Sequence, residues 1–213
     1  MAGRSSVPAE DVRAIGARAE RRRQILDAAK QVFAEAGYHG ASIHAIIERA
    51  AIARGTFYLY FESKEAVFGA LLDEAMTELR HRIVRIDTGP GARSPKDQLE
   101  DSLSGLLAFV VADRPLATVL LSSSSTPDAE AAARLAGFYA EVRQVIALSL
   151  ETGMQIGLIR RCHPERTAAA LLGLVRGIVE HCVTRPVDQP LDQPIADVTR
   201  ELIDLALVGV LAR

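Results

Sequence analysis

Residues 54 to 60 combine side chains that suit contact with nucleic acid better than an ordinary solvent-exposed helix. Arg54 has the chemistry to bind a phosphate or to fork onto a guanine edge, and Gly55 lets the backbone approach a partner closely. Thr56 offers a small donor and a methyl group, and tyrosine hydroxyls have the reach to contact phosphates. This pattern predicts an exposed recognition surface made of Arg54, Gly55, Thr56, Tyr58, Leu59 and Tyr60.

Two short predicted helices joined by a tight turn position this surface. The first is capped by Ser42, and a turn near Ala51 leads into the second, over residues 54–61. Apolar residues at core spacing on the first helix are Ile43, Ile46, Ile47 and Ala50. On the second, Phe57 and Phe61 fall on one stripe and are expected to face the core. Such a pair is a helix-turn-helix, which seats its second helix in the DNA major groove.

The next predicted helix begins with Ser63 as its cap and Lys64 directly after it. A phosphate at this point would meet both an ammonium group and a free helix N-terminus. The spacing therefore predicts Lys64 as a contact to the DNA backbone.

Residues 21–74 resemble the DNA-binding domain of the TetR/AcrR family of bacterial transcriptional regulators. The matching motifs are a first helix ending at Phe33-Ala34 and a Gly37-Tyr38 break, the Ser42 cap, the AIARGTFY run from Ala51, and Tyr60-Phe61 followed by Ser63-Lys64-Glu65. The resemblance implies that Ser42 and Lys64 hold the DNA backbone. It also implies that the recognition-helix positions are those of Arg54, Gly55, Thr56, Tyr58 and Tyr60.

The chain departs from the family pattern around the turn. Ala51 replaces the usual glycine, Ala53 replaces the usual serine or threonine cap, and Ala45 and Ile47 stand where an acidic residue and an alanine are common. Loss of a cap costs about 1 kcal/mol, which a packed domain tolerates. Because the side chain of Ala53 offers no polar contact, it is left out of the predicted DNA surface.

Composition predicts a folded protein of the cytoplasm. The 213 residues are 49% hydrophobic and 24% charged, with a net charge of -2. The first 70 residues carry ten Lys and Arg against eight Asp and Glu, so the positive excess lies with the predicted DNA surface. The first twenty residues lack the apolar region of a secretory signal, and no unbroken apolar run of about 18 residues occurs, so no membrane association is expected.

Proline and cap residues divide the chain into helices, and no strand pattern competes. The predicted fold is all-α: a three-helix DNA-binding domain followed by a larger helical ligand-binding and dimerisation domain. The predicted later helices lie near 63–86, 95–112, 115–124, 127–158, 164–184 and 194–212. The predicted units are a flexible arm over 1–18, the DNA-binding domain over 19–65 and the effector-binding and dimerisation domain over 66–213.

The last two predicted helices, residues 164–184 and 194–212, are expected to form a homodimer surface. The first has consecutive alanines and places Gly173 four residues before Gly177, which permits close helix approach, and the second is apolar around much of its circumference. The resemblance implies a four-helix bundle between two copies. A two-fold dimer matches a palindromic operator in double-stranded DNA.

Seven of the ten aromatic residues lie in the first 70, so the larger domain is mostly aliphatic. The resemblance implies an effector cavity there, and an aliphatic wall suits a lipophilic ligand. Candidate wall residues, each of which also suits a plain core role, are Leu103, Leu107, Val110, Phe138, Tyr139, Met154, Leu171 and Val175. Arg114, Arg143 and Arg176 are candidates for anchoring an anionic head group, with surface pairing as the alternative.

Other classes of function find little support. Nucleophile-elbow, zinc-protease, phosphate-loop and C-x-x-C motifs are absent from the sequence, so an enzyme is not expected, nor is a cofactor or metal site. Cys162 and Cys182 bound one predicted helix and would lie roughly 27 to 30 Å apart, too far for a disulfide. The sequence favours a repressor released by a small effector; an activator, or a dimerisation module without DNA binding, are the alternatives.

Overall fold

A computed structural model describes residues 9–83, 86–122, 129–185 and 194–210, and the elements within these ranges are helices. They are α1 (Ala9–Gly40), α2 (Ile43–Arg49), α3 (Arg54–Tyr58), α4 (Lys64–Arg82), α5 (Pro95–Ala112), α6 (Arg114–Leu121), α7 (Ala129–Gln155), α8 (Pro164–Thr184) and α9 (Ile195–Val210). The predicted all-α fold, with a helix-turn-helix unit followed by a larger helical domain, is confirmed.

The start of α1 corrects the predicted N-terminal arm. The arm was expected over residues 1–18, but α1 already begins at Ala9, so residues 9–18 are helical, and residues 1–8 lie outside the described residues. The physical reason is composition, because this stretch is rich in Ala, Arg and Glu, which are strong helix formers. The charged residues of this stretch are compatible with a helix exposed to solvent.

Gly37 divides α1 into a long helix and a last short turn. Its φ of 67° and ψ of 168° lie outside the helical range, in a region that glycine reaches without steric cost. The break turns Tyr38 inward, where its ring stacks on Phe33 and meets the edge of Phe68. The predicted Gly37-Tyr38 break is confirmed, and it brings the end of α1 against the start of α4.

Serine caps and prolines set the helix starts of the larger domain. The Ser63 hydroxyl accepts from the Ala66 N–H, and the Ser94 hydroxyl from the Asp97 N–H, each at 3.1 Å. Proline occupies an early position of α5, α6 and α8. The predicted bounds of α5 and α8 are therefore matched by the structure.

Several helix ends differ from the sequence prediction. The connecting helix α4 ends at Arg82 instead of 86, because Ile83 takes an extended conformation. The long helix α7 ends at Gln155 instead of 158, because Gly157 adopts a φ of +75° and the N–H groups of Leu158 and Ile159 return to the Gly153 carbonyl. The last helix, predicted from 194, begins at Ile195, whereas the predicted end at 124, the predicted start at 127 and the predicted end at 212 lie outside the described residues.

One hydrophobic core runs from the DNA-binding unit into the larger domain. Its buried members come from α1 and α4 and extend through α5, α6 and α7 to Val179 of α8 and Leu202 of α9. A second, smaller cluster joins Ala147 and Leu150 of α7 to Ala168 of α8. Because α1 packs directly on α6, the two predicted domains share an apolar interface beyond the connecting helix.

The helix α8 is apolar along much of its length, and part of its apolar surface is exposed. Among the described helices it is long and apolar enough, by length and composition alone, to cross a membrane, and 17% of its most apolar 18-residue window is buried. The helices α5 and α6 pass the same test only as a pair, and they bend by 95° at their junction. Among the large apolar residues of α8, Leu174 is the exposed one, at 42%.

Candidate nucleic-acid interface

A short turn with one strained residue joins α2 to α3. Ser42 caps α2 by accepting from the Ala45 N–H at 3.1 Å, which satisfies one of the free amides at its N-terminus. The turn passes through Ala51, whose φ is 50°, in the left-handed region that favours glycine. Ala53 precedes α3 and makes no side-chain cap, as the sequence predicted.

The five-residue helix α3 separates a buried face from an exposed one. Phe57 is fully buried and Phe61 is 6% exposed, so the predicted inward stripe is confirmed. On the opposite side Tyr58 is 45% exposed and Leu59 is 74% exposed. The Arg54 guanidinium lies 5.8 Å from the centre of the Tyr58 ring. The exposed residues therefore form one continuous cationic and aromatic surface.

Gly55 lies in the middle of this surface with open space around it. A Cβ atom built on Gly55 would meet no atom of the chain within 4 Å, and its backbone is helical. The fold itself therefore does not require glycine here. A partner that approaches the α3 backbone closely would give the residue a reason to be small.

Tyr60 and Thr56 are less accessible than the sequence indicated. Both are partly buried, and Tyr60 packs against the hydrophobic core. The helix α3 ends at Tyr58 and not at 61, and the Tyr60 N–H bonds to the Phe57 carbonyl in a tighter turn beyond it. The structure thus brings Arg54, Gly55, Tyr58 and Leu59 to the surface together, with Thr56 and Tyr60 at its margin.

The ammonium group of Lys64 has a structural role that the sequence did not reveal. Its Nζ donates to the Tyr38 carbonyl at 2.9 Å and to the Ala41 carbonyl at 3.2 Å, and it lies 4.3 Å from the centre of the Tyr38 ring. Lys64 therefore ties the end of α1 and the α1–α2 link to the start of α4. Two of the three N–H groups of this ammonium are thus used within the fold, and its contact with the DNA backbone stays a prediction.

Glu65 completes this junction. The Tyr38 hydroxyl donates to Glu65 Oε1 at 2.9 Å. Hydrogen bonds from its own backbone N–H and from the Ser63 hydroxyl lower the pKa of Glu65, with Tyr38 and the Lys64 charge acting in the same direction against partial burial. The carboxylate is thus held ionised at the N-terminus of α4, where the helix dipole favours a negative charge.

Side-chain contacts from α1 hold α2 and the link that follows α3 in place. The Gln24 amide donates to the Ala50 carbonyl at the end of α2 at 2.6 Å. Arg49 binds both carboxylate oxygens of Glu35. In the basic run 21–23, Arg22 pairs with Glu74 of α4 and lies 5.4 Å from the centre of the Phe61 ring. This arginine therefore supports the fold.

The candidate effector residues fall into separate surroundings. Leu107, Val110 and Phe138 are buried in the main core, and Leu103, Tyr139 and Val175 pack against it. The remaining two lie elsewhere: Leu171 packs on the second cluster, and the Met154 sulfur lies 4.0 Å from that of Cys162. The structure therefore brings six of the eight candidates into one cluster.

A groove between α7 and α8 combines an apolar floor with arginines. It has a volume of about 300 Å³ and is lined by Ala132, Ala136, Tyr139, Arg143, Leu172 and Arg176. The Arg176 guanidinium lies 4.6 Å from the centre of the Tyr139 ring. Two of the three arginines considered as anion anchors thus lie here, and Arg114 lies at the start of α6.

Two family models match the chain. The model of bacterial regulatory proteins of the tetR family matches residues 25–71, which contain α2, α3 and the recognition surface. The model of the tetracyclin repressor-like C-terminal domain matches residues 92–180, which contain α5 to α7 and most of α8. Together they match more than half of the 213 residues.

Individual proteins agree with these matches. The fatty acid metabolism regulator protein of Bacillus subtilis is 43% identical over 60 residues, which cover 28% of this chain and 31% of that protein. The transcriptional repressor KstR of Rhodococcus jostii is 32% identical over 126 residues, 59% of this chain and 58% of that protein. The matched segments thus span less than two thirds of either relative.

A solved structure confirms the fold over most of the chain. The crystal structure of the regulator FadR from Bacillus subtilis, in complex with stearoyl-CoA, superposes with a TM-score of 0.72 at 24% identity. It covers 88% of this chain and 98% of the other. With the helix-turn-helix geometry and both domain matches in place, the chain belongs to the TetR family of bacterial transcriptional regulators, which are DNA-binding proteins and not enzymes.

Proposed function

We propose that the chain is a homodimeric repressor that binds a palindromic operator through α2 and α3 and leaves it when a small lipophilic effector binds. The division of α3 is the observation that carries the DNA part. The five-residue helix buries Phe57 fully and exposes Tyr58 and Leu59 beside Arg54. Adjacent exposed aromatic and aliphatic side chains indicate a surface that binds a partner. In a major groove these groups would contact base edges and phosphates.

The exposed faces of α8 and α9 support a homodimer. Gly173, Leu174 and Gly177 are exposed on α8, and Cβ atoms at the two glycines would meet nothing within 4 Å. Leu174 is 42% exposed, and Leu205 of α9 is 73% exposed. A second copy that covers these helices would bury this apolar surface about a two-fold axis. Two recognition surfaces related by that axis match an operator with two half-sites. The half-sites would lie one turn of the DNA helix apart, about 34 to 36 Å, or a whole number of such turns.

The proposed effector is an amphiphile with an aliphatic tail and an anionic head. The core of the larger domain is mostly aliphatic, and the groove between α7 and α8 places Arg143 and Arg176 beside an apolar floor. The similar proteins include one named as a regulator of fatty acid metabolism, and the similar structures include one solved with stearoyl-CoA. These names support a long-chain acyl compound as the first ligand to test.

The two ligands are expected to oppose each other through conformation. An effector that favours a dimer with its recognition surfaces at the wrong spacing weakens DNA binding. By reciprocity the operator weakens effector binding by the same factor, typically about 5- to 150-fold.

Selection of bound duplexes from a random DNA pool, followed by titration of the selected site, tests the DNA part. We expect Arg54→Ala and Tyr58→Ala to lower operator affinity by about tenfold or more, because each removes a base or phosphate contact. Affinity should also fall steeply with added salt. Arg161→Ala, an exposed arginine of the α7–α8 link, is the matched control. Unchanged affinity in both surface variants would remove α3 from the mechanism.

Release of the selected operator by acyl-CoA compounds of increasing chain length tests the effector part. Palmitoyl-CoA is expected to release the DNA and free coenzyme A is not, since only the former carries an aliphatic tail. Arg143→Gln should raise the concentration of palmitoyl-CoA needed for release by about tenfold, because it removes a charge-assisted contact. If no chain length releases the operator, the proposed effector class is wrong while the DNA-binding proposal stands.

A further inference from the structure

The exposed side of α3 has an apolar centre. At about 100° per residue, the positions two residues before and two residues after Phe57 lie nearly opposite it, and these are Gly55 and Leu59. Leu59 keeps a helical conformation just beyond the end of α3, with a φ of -74° and a ψ of -19°. Because Phe57 is fully buried, the surface that points most directly away from the core consists of a glycine and a leucine.

The polar groups of the recognition surface lie to one side of this centre. The rings of Phe57 and Tyr58 meet edge to face at 5.4 Å, so Tyr58 leans back toward the core, and the Arg54 guanidinium lies 5.8 Å from the Tyr58 ring. Tyr58 is 45% exposed, whereas Leu59 is 74% exposed, the largest value among the large apolar side chains that the structure describes. In a major groove, Leu59 would therefore point at the base edges, with Arg54 and Tyr58 on one flank.

The chemistry of the base edges decides which base a leucine can contact favourably. Thymine presents its C5 methyl group in the major groove, while guanine and cytosine present hydrogen-bond acceptors and donors. A leucine against the cytosine amino group or the guanine oxygen would remove these groups from water without pairing them. Against thymine, the same side chain would bury the methyl group, which is favourable. Gly55 beside it has open space at its Cβ position and permits the close approach.

We propose that Leu59 is a specificity-determining residue, which recognises one thymine in each half-site of the operator through its C5 methyl group. The inference rests on the proposed function in taking α3 as the helix that enters the major groove. It adds the identity of one base and the chemical group by which that base is recognised.

Replacing thymine by deoxyuridine tests the inference, because it removes the methyl group and leaves every hydrogen-bonding group in place. In the operator selected by the wild-type protein, each thymine is replaced in turn, together with its symmetry-related copy in the other half-site. Affinities are measured for the wild type and for Leu59→Ala. Leu148→Ala is the matched control, because Leu148 is 54% exposed and lies on α7. Circular dichroism verifies that each variant is folded.

We expect one symmetric pair of thymines at which deoxyuridine lowers the affinity of the wild type by about 10- to 20-fold, or about fourfold for each methyl group that loses its burial. The two affinities of Leu59→Ala should agree within about twofold, because the methyl group has lost its apolar partner in this variant. Leu148→Ala should keep the full difference.

A methyl group on a different base gives a second readout. With cytosine in place of the responsive thymine, and guanine as its partner, 5-methylcytosine should bind the wild type about fourfold more tightly per half-site than unmodified cytosine. Leu59→Ala should bind the two duplexes equally.

Two results would overturn the recognition of thymine by Leu59 while the proposed DNA binding stands. One is a selected operator in which no thymine responds to deoxyuridine, and the other is a response that Leu59→Ala retains in full. If the wild-type protein selects no duplex at all, the proposed function itself is wrong, and this inference is overturned with it.

Discussion

At the scale of single residues, the DNA-binding unit carries two alanines where its geometry favours other residues. Ala51 has a positive φ in the turn, and Ala53 precedes α3 without a side-chain cap. Both lie next to the recognition surface, and neither removes the exposure of Tyr58 or Leu59. The short α3 is therefore held mainly by burial of Phe57 and Phe61 and not by its own local signals.

Replacing Ala51 by glycine is expected to stabilise the protein. The left-handed conformation costs an alanine about 1 to 2 kcal/mol, while glycine loses about 0.5 to 1 kcal/mol more chain entropy on folding. The net gain is between about 0 and 1.5 kcal/mol, or at most roughly 3 to 6 °C in the midpoint of thermal unfolding for a chain of this size. Differential scanning calorimetry checks it, and a lower midpoint for Ala51→Gly would contradict the strain assigned to the turn.

Replacing Gly55 by alanine separates folding from DNA binding. The added Cβ meets no atom of the chain, so the free energy of unfolding should stay equal or rise by about 0.5 kcal/mol through better helix propensity. Operator affinity should fall by about tenfold, because the methyl group would occupy space that a closely approaching DNA backbone needs. Chemical denaturation and DNA titration measure the two effects. Unchanged affinity would mean that the DNA stays away from the α3 backbone.

At the scale of elements, the junction of α1 and α4 depends on an ionised carboxylate. The pKa of Glu65 is lowered in the folded state, so its contribution to stability is complete above the unfolded pKa near 4.5 and is lost as pH falls toward the lower folded value. Glu65→Gln keeps an acceptor for the Tyr38 hydroxyl but cannot ionise. The variant should be less stable than the wild type at neutral pH.

The difference in the free energy of unfolding between the wild type and Glu65→Gln should become smaller as the pH falls below about 4.5. At that pH the carboxylate of Glu65 becomes protonated and its charge no longer stabilises the fold. Denaturant titrations at a series of pH values give the comparison. If the difference in the free energy of unfolding between the two proteins is the same at every pH, the charge of Glu65 does not stabilise the junction.

Helix starts marked by a serine cap or a proline follow from the local sequence. Ser94-Pro95 and Pro164 set the starts of α5 and α8 where the sequence placed them, because caps and prolines act on their immediate neighbours. The ends of α3 and α7 differ, since they depend on packing of Phe61 and on a left-handed Gly157. The role of Lys64 was equally inaccessible, because its carbonyl partners Tyr38 and Ala41 lie 26 and 23 residues away.

At the scale of the whole molecule, the exposed apolar residues of α8 and α9 are expected to determine whether the chain forms a dimer. Leu174→Glu and Leu205→Glu each place a carboxylate on the proposed two-fold interface, where its counterpart in the second copy would lie nearby. Repulsion and desolvation should raise the dimer dissociation constant by about 100-fold or more. Light scattering coupled to size-exclusion chromatography measures the change.

Leu148→Glu is the control for this assembly experiment. Leu148 is 54% exposed but lies on α7, outside the proposed interface. It should leave the dimer intact. If Leu148→Glu dissociates the dimer while Leu174→Glu and Leu205→Glu leave it intact, the interface lies on α7 instead.

A single copy would leave Leu174 and Leu205 in contact with water, and exposed apolar residues favour aggregation as well as correct dimer formation. Thermal midpoints should therefore climb with protein concentration, because mass action stabilises the associated form. Within a cell, the number of chains synthesised would then govern both how long the regulator survives and how fully it occupies its target.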